Sequence, residues 1–255
     1  MTDLLGLRGK RVLVTGASRG IGQGIAAGFV EAGAALSILA DDAGVHDAAA
    51  RLGPDVRSFQ CDVRDRAAIA DVFADFGPLD VLVNNAGLEL ITPLDDPSPA
   101  VDEIFERIMA INVTGTWNMT RAALLLMGEG GRIVNTASVW AKTAVGEFAA
   151  YIASKHAVVG LTRTFARELG PRGITVNAVC PGWVRTEASL RSLRAMSVRA
   201  EREEEALLGD ILAAQSLPGL MVPGDVAGLY LFLASKLAAN ITGQAIGVDR
   251  GEFPG

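Results

Sequence analysis

The chain has 255 residues, half of them hydrophobic, and carries a formal net charge of −6 with no long basic run. That length suits one α/β domain with a large core, and the acidic balance argues against nucleic acid or an anionic membrane as the main partner. No stretch of 18 apolar residues offers a membrane span.

The opening MTDLLGLRGKR lacks the basic-then-apolar pattern of an export signal, so a cytoplasmic location is expected. Residues 11–15 contain Val12-Leu13-Val14, an apolar run suited to a strand buried on both faces. Gly16, Gly20 and Gly22 follow, and a helical pattern opens with Ile21, Ile25 and Phe29. A strand that turns through glycines into a helix N-terminus suits a phosphate, because first-turn N–H groups are unbonded and glycine admits close approach. The spacing G-x3-G-x-G departs from the usual dinucleotide fingerprint, and such glycines also make plain strand–helix turns.

Further strands are expected at 35–40, closing on Asp41-Asp42, and at 56–61, closing on Asp62. Another at 81–83 runs into Asn84-Asn85-Ala86-Gly87, where positive φ is cheap. The last three are expected at 132–136, just before Ser138, at 174–179, closing on Pro181-Gly182, and at 244–248. Helical patterns cover 45–52, 67–76, 101–127, 149–169 and 223–235, with Gly130-Gly131 turning into the fifth strand. The stretch 186–217 is polar and helical, and its acidic run 201–205 reads as a solvated face rather than a metal site. Alternating strands and helices predict a parallel sheet covered by helices, in one domain spanning 1–255. Cys61 and Cys180 read as small buried apolar residues.

Tyr151 and Lys155 carry the strongest chemical signal. They share a helical stripe with Val158, Leu161, Thr162, Phe165 and Leu169, which should face the sheet. A lysine there alone could snorkel from the edge of the stripe. Beside Tyr151, its ammonium is expected to lower the phenol pKa from about 10 toward neutrality, giving a general acid/base. Ser138, Asp62, 84–87 and Pro181-Gly182 all follow strands, and so belong on the sheet edge where α/β proteins bind ligands.

This pattern resembles the classical short-chain dehydrogenases/reductases. The resemblance rests on Thr15-Gly16-Ala17-Ser18-Arg19-Gly20-Ile21-Gly22, Asn84-Asn85-Ala86-Gly87, Asn112, Ser138, Tyr151-Ile152-Ala153-Ser154-Lys155 and Pro181-Gly182, over about residues 6–250. It implies a Rossmann-type, doubly wound, seven-stranded parallel sheet with helices on both faces. Strand three would lie at one edge and strand six far across, putting Cys61 and Cys180 roughly 24 Å apart, beyond disulfide reach.

The resemblance also implies roles. Tyr151 would exchange a proton with the substrate oxygen while hydride passes to or from a nicotinamide, and Ser138 would hydrogen-bond that oxygen. Lys155 would lower the Tyr151 pKa and hold the nicotinamide ribose, and Asn112 would hold a water of the proton relay. Cofactor contacts would come from Gly16, Ser18, Arg19, Gly20, Ile21, Asp41, Asp62, Val63, Asn85, Ala86, Gly87, Pro181, Gly182, Val184 and Thr186, with Tyr151 and Lys155. No metal is implied; His46 is expected on a surface helix, and His156 merely follows Lys155. The family is generally dimeric or tetrameric, so a homodimer or homotetramer is expected. Val248-Asp249-Arg250-Gly251 departs from the usual two glycines after the aspartate, making the tail bulkier.

The substrate pocket should draw on Glu89, Val139, Trp140, Trp183 and the segment 183–222. A carboxylate and indole N–H groups suit a sugar or polyol, although either indole could be plain packing. Asp41, nineteen residues after Gly22, stands near the ribose-reading position. It would repel a 2′-phosphate by on the order of 1–3 kcal/mol, the Coulomb energy at about 5–8 Å and an effective dielectric near 20. Arg19 would pull toward NADP, but its long side chain can swing into solvent, so NAD is the expected cofactor. The alternatives are an NADPH-dependent 3-oxoacyl carrier-protein reductase and, more remotely, a non-catalytic dinucleotide-binding protein.

Overall fold

The computed structural model describes residues 3–74 and 76–253; the chain ends and position 75 of the expected 67–76 helix lie outside them. Its strands are β1 Arg11–Thr15, β2 Ala35–Ala40, β3 Arg57–Gln60, β4 Leu79–Asn84, β5 Met127–Thr136, β6 Thr175–Pro181 and β7 Ala245–Val248. All pair in parallel in the order β3-β2-β1-β4-β5-β6-β7, the doubly wound sheet that the family resemblance implied. The chain winds outward from β1 to β3, then returns to β4 on the other side. That reversal opens a crevice at the carboxyl ends of β1 and β4.

The helices are α1 Gly20–Glu31, α2 Gly44–Leu52, α3 Arg66–Ala74, α4 Pro99–Met109, α5 Thr116–Ala123, α6 Ala149–Leu169, α7 Glu187–Ala200, α8 Glu204–Ala213 and α9 Pro223–Ala234. Two-residue periodicity in the strands builds a core on each face of the sheet. Val12 and Val14 pack with Ile25, Phe29, Tyr230 and Leu233 under α1 and α9. Leu13 points the other way, to Phe73, Met119 and Phe165 on α3, α5 and α6. Cys61 and Cys180 are both buried, five strand positions apart in the sheet order. No helix among the described residues is long and apolar enough to cross a membrane.

The expected single helix over 101–127 is three pieces. After α4 the chain widens to a π-type segment, Ala110–Gly115, before α5 begins. The Thr116 hydroxyl donates to the Asn112 carbonyl at 2.7 Å, so the local irregularity does not strand that acceptor. The apolar run 124–127, which reads equally as helix or strand, leads into β5 at Met127. Gly130-Gly131 therefore lies inside a strand rather than before one. Leu79 pairs with Met127 but Val81 with Arg132, so the extra residues form a bulge, with Gly130 at φ 81°. The stretch 186–217 divides into α7 and α8, separated by Glu201 in the left-handed region at φ 50°. The acidic run around it is exposed, as are His46 and His156.

Candidate active site

The glycine turn and the 84–87 turn are bonded to each other. Thr15 Oγ1 accepts from the backbone N–H groups of Asn85 and Ala86, at 3.0 Å each. The Asn85 side-chain amide returns two bonds, to Thr15 O at 3.0 Å and Gly16 O at 3.1 Å. There is no room for side chains between them. A Cβ on Gly16, at φ +64°, would stand 2.6 Å from Ala86 Cα, and one on Gly22 would overlap Gly16 O. α1 then starts with no side-chain cap at Arg19, leaving its first-turn N–H groups facing a cleft of ≈ 310 Å³ lined by Gly20, Ile21 and Gly22. A glycine cradle at an uncapped helix N-terminus fits a pyrophosphate, so the residues present suit a dinucleotide.

Two carboxylates stand where β2 ends. Asp41 and Asp42 both line the cleft. Asp42 Oδ2 accepts from Ser18 Oγ at 2.8 Å and from Arg19 Nη1 at 3.0 Å, and Glu187 lies 3.8 Å from Arg19 Nε. Arg19 is thus paired with acids while its side chain stays 64% exposed, in line with the solvent-facing position expected from sequence. Asp62, after β3, pairs with Arg64, whose guanidinium hydrogen bonds hold its carboxyl below the usual range.

The reacting groups lie on α6 and just past β5. The α6 stripe is buried at Lys155, Val158, Thr162, Phe165 and Leu169 as its spacing predicted, with Tyr151 and Leu161 half-buried, and Lys155 is only 4% exposed. Its Nζ donates to the Thr136 carbonyl at 2.8 Å and stands 5.5 Å from the Tyr151 ring centroid. Burial lowers the Lys155 pKa from 10.5 to about 8, with the Glu89 charge opposing. The Tyr151 phenol is pushed up, not down as expected. Burial is the main cause and the Glu89 charge adds to it, while the hydrogen-bonded Ser138 hydroxyl opposes. The ammonium is engaged by a carbonyl and a ring face, and it does not dominate the phenol. Trp140 meets the Tyr151 ring edge-on at 6.0 Å.

Tyr151 joins the cleft to a second, smaller cavity of ≈ 90 Å³, and lines both. Ser18, Arg19, Gly20, Asp41, Asp62, Val63, Asn85, Ala86, Gly87 and Lys155 line only the larger. Ser138, Val139, Trp140, Pro181, Gly182, Trp183 and Val184 line the smaller, and Ile21, Glu89 and Thr186 belong to both. Asn112 lines neither. Its side chain accepts from Leu88 N at 2.8 Å and donates to Leu88 O and to Ser154 Oγ, tying down the segment behind Gly87.

Sequence reasoning missed Asp42, Arg107, Thr136 and Glu252 on these walls, whereas Arg191 falls in the expected segment 183–222 without having been named. Asp42 is adjacent to Asp41 and Thr136 ends a strand beside Ser138, so both were findable. Arg107 and Glu252 reach the site from remote elements and carry no local signal.

The family model described as enoyl-(acyl carrier protein) reductase matches residues 16–252. D-beta-hydroxybutyrate dehydrogenase of Cupriavidus necator is 36% identical, covering 96% of this chain and 98% of its own. D-threitol dehydrogenase of Mycolicibacterium smegmatis is 37% identical, covering 96% of this chain and 93% of its own. A crystal structure of actinorhodin polyketide ketoreductase with NADPH superposes with a TM-score of 0.88 at 34% identity, covering 95% of this chain and 97% of that one.

Proposed function

The chain belongs to the classical short-chain dehydrogenase/reductase family, whose members are NAD(P)-dependent oxidoreductases acting on CH–OH groups, and on that premise we propose an NAD-preferring enzyme for a sugar- or polyol-type secondary alcohol and its ketone. The observation that carries this reading is Tyr151, hydrogen-bonded to Ser138 and standing where the dinucleotide-shaped cleft meets the small cavity. When bound, the nicotinamide supplies the hydride acceptor or donor. The glycine cradle and the α1 N-terminus would hold the pyrophosphate of the dinucleotide, and Lys155 would hold the nicotinamide ribose. Tyr151 gives its proton to the carbonyl oxygen in reduction and takes it back in oxidation; a phenol kept protonated by burial suits the donor role. Ser138 orients that oxygen. Asn112 acts as a positioning residue by fixing Leu88 beside Gly87 and Glu89. The segment 183–222 contributes to the substrate site through Trp183, Val184, Thr186 and Ser189 on the wall of the small cavity.

Two observations support NAD over NADP: the paired carboxylates Asp41 and Asp42, and the engagement of Arg19 by Asp42. A 2′-phosphate would meet both charges without an unengaged Arg19. The second reading, an NADPH-dependent 3-oxoacyl carrier-protein reductase, draws on the likeness to the polyketide ketoreductase with NADPH. The net charge of −6 disfavours docking of an acidic carrier. A homodimer or homotetramer, the assembly that the family resemblance implies, is measurable by sedimentation.

The test is a screen of polyols, sugars, hydroxy acids and acyl thioesters with both cofactors. A polyol should lead with NAD, by tenfold or more in kcat/KM over NADP. Tyr151→Phe should cut kcat by about 10²–10⁴-fold and leave NADH affinity within twofold. Residual activity above a tenth of wild type, or a thioester preferred with NADPH, would overturn the reading.

A further inference from the structure

Beyond β7 the chain turns through two consecutive left-handed residues, Arg250 at φ 55° and Gly251 at φ 75°. The turn is pinned from both sides. Leu217 N donates to Arg250 O at 2.9 Å, Arg250 Nη1 to Pro218 O at 2.6 Å, and Ser216 Oγ to Gly251 O at 3.1 Å. Asp249 accepts from Gly251 N and Phe253 N, at 3.0 and 3.1 Å. This lock sends Glu252 back to the end of β6, where its Oε2 would stand 3.0 Å from a Cβ on Gly182. Glu252 thereby becomes part of the wall of the ≈ 90 Å³ cavity that holds Ser138 and Tyr151.

Three polar atoms on that wall are buried without a hydrogen-bond partner: Glu252 Oε2, Glu89 Oε1 and Trp183 Nε1. Burial raises the pKa of both glutamates, opposed at Glu89 by a Ser192 hydrogen bond and by the Arg191 and Lys155 charges beyond the cavity wall. Asp249 adds to the effect at Glu252, and the Trp183 backbone N–H opposes it. None of the described residues lining the cavity is basic. Buried polar atoms are normally satisfied, and two acceptors and one donor on residues of the same cavity wall define what would satisfy them. A hydroxyl can donate to a carboxylate and accept from the indole N–H at once. A substrate carboxylate would satisfy the indole but meet two acidic groups. An ammonium would satisfy the acids and leave the indole unmatched. The volume is that of a short fragment, since a water occupies about 30 Å³.

We propose that Glu252 is a specificity-determining residue that accepts a hydrogen bond from a second hydroxyl of the substrate, selecting short uncharged diols over hydroxy acids of the same length. The proposal rests on the oxidoreductase reading above. It adds a residue of the C-terminal tail and the sign of the discrimination.

The experiment compares wild type with Glu252→Gln, using butane-2,3-diol, 3-hydroxybutyrate and 1-aminopropan-2-ol with NAD. Wild type should favour the diol, and Glu252→Gln should lower the diol-to-acid ratio of kcat/KM at least tenfold, partly by raising the acid. NADH affinity should stay within twofold. A merely structural role would lower both substrates in parallel and leave the ratio unchanged, overturning the proposal. A wild-type preference for the hydroxy acid or the amino alcohol would also overturn it. The same three compounds are titrated against the enzyme–NADH complex by tryptophan fluorescence. If wild type oxidises none of them, the secondary-alcohol reading fails, and the titration still decides the role of Glu252. Diol binding at least fivefold weaker in the variant, with acid binding stronger, supports it; equal binding overturns it.

Discussion

Replacing Thr15 by valine removes two of the four bonds between the two turns that shape the cofactor cleft, leaving those of the Asn85 side-chain amide, with almost no change of volume. Thr15 is 1% exposed. Its hydroxyl accepts from two backbone N–H groups at 3.0 Å and donates to Val83 O at 3.4 Å. Valine is β-branched and near-isosteric, so neither strand geometry nor packing changes much. The two amide donors of Asn85 and Ala86 lose their acceptor. A stranded buried donor costs about 1–3 kcal/mol. Both residues are half-buried, so the lower part of that range applies, and the sum is about 2–4 kcal/mol. Thr15→Ser is the control, because it keeps the hydroxyl and removes one buried methyl, costing about 1 kcal/mol. Equilibrium urea unfolding, followed by tryptophan fluorescence with a shared m value, measures both. NADH titration should show roughly tenfold weaker binding for Thr15→Val, as 85–87 loosens from Gly16, since about 1.4 kcal/mol is tenfold. A valine variant within about 0.5 kcal/mol of wild type, or a serine variant equally damaged, would refute the assignment, since either result removes the hydroxyl from the account.

Gly22→Ala should abolish dinucleotide binding in calorimetry, because its Cβ would overlap Gly16 O and lie 2.5 Å from Asn85 Nδ2; a wild-type Kd would contradict that packing. Asp42→Asn should release Arg19 and raise kcat/KM with NADP by about fivefold while NAD changes little, since an exposed pair of this kind is worth at most about 1 kcal/mol. Arg19→Ala should lower NADP efficiency in the same assay, and no response to either change would separate Arg19 from cofactor choice. The lowered Lys155 pKa, about 8 against 10.5, means the unfolded chain binds more protons between those values. Its destabilising contribution is fully present below about pH 8 and is relieved as pH rises to about 10.5, by up to about 3 kcal/mol. The stability advantage of Lys155→Met over wild type should therefore shrink across that window, and a pH-independent difference in unfolding free energy would refute it.

The strands, their alternation with helices and the sheet edge that carries the candidate site were legible because local physics wrote them into the chain, whereas the strand order was implied only by the family resemblance. Val12-Leu13-Val14 is apolar at every position, as a strand covered on both faces must be, and Gly16 and Gly22 stand where side chains would collide with backbone. The α6 stripe placed Tyr151 and Lys155 one turn apart from helical spacing alone. The run after Ala123 was expected to continue the helix, because leucines suit one; instead 124–126 form a turn and Met127 opens β5 by pairing with Leu79. The sign of the Tyr151 shift was likewise a tertiary matter. It depends on how deeply the phenol is buried, on Glu89 approaching from the segment after β4, and on Thr136 O engaging Lys155. Arg19 pairs with Asp42 from 23 residues away, and Glu252 reaches the cavity of Ser138 and Tyr151 only because a left-handed turn is locked to 216–218. Sequence carries what neighbours along a helix or strand impose. Charge pairing and desolvation depend on distances between remote segments, and those exist only once the chain has folded.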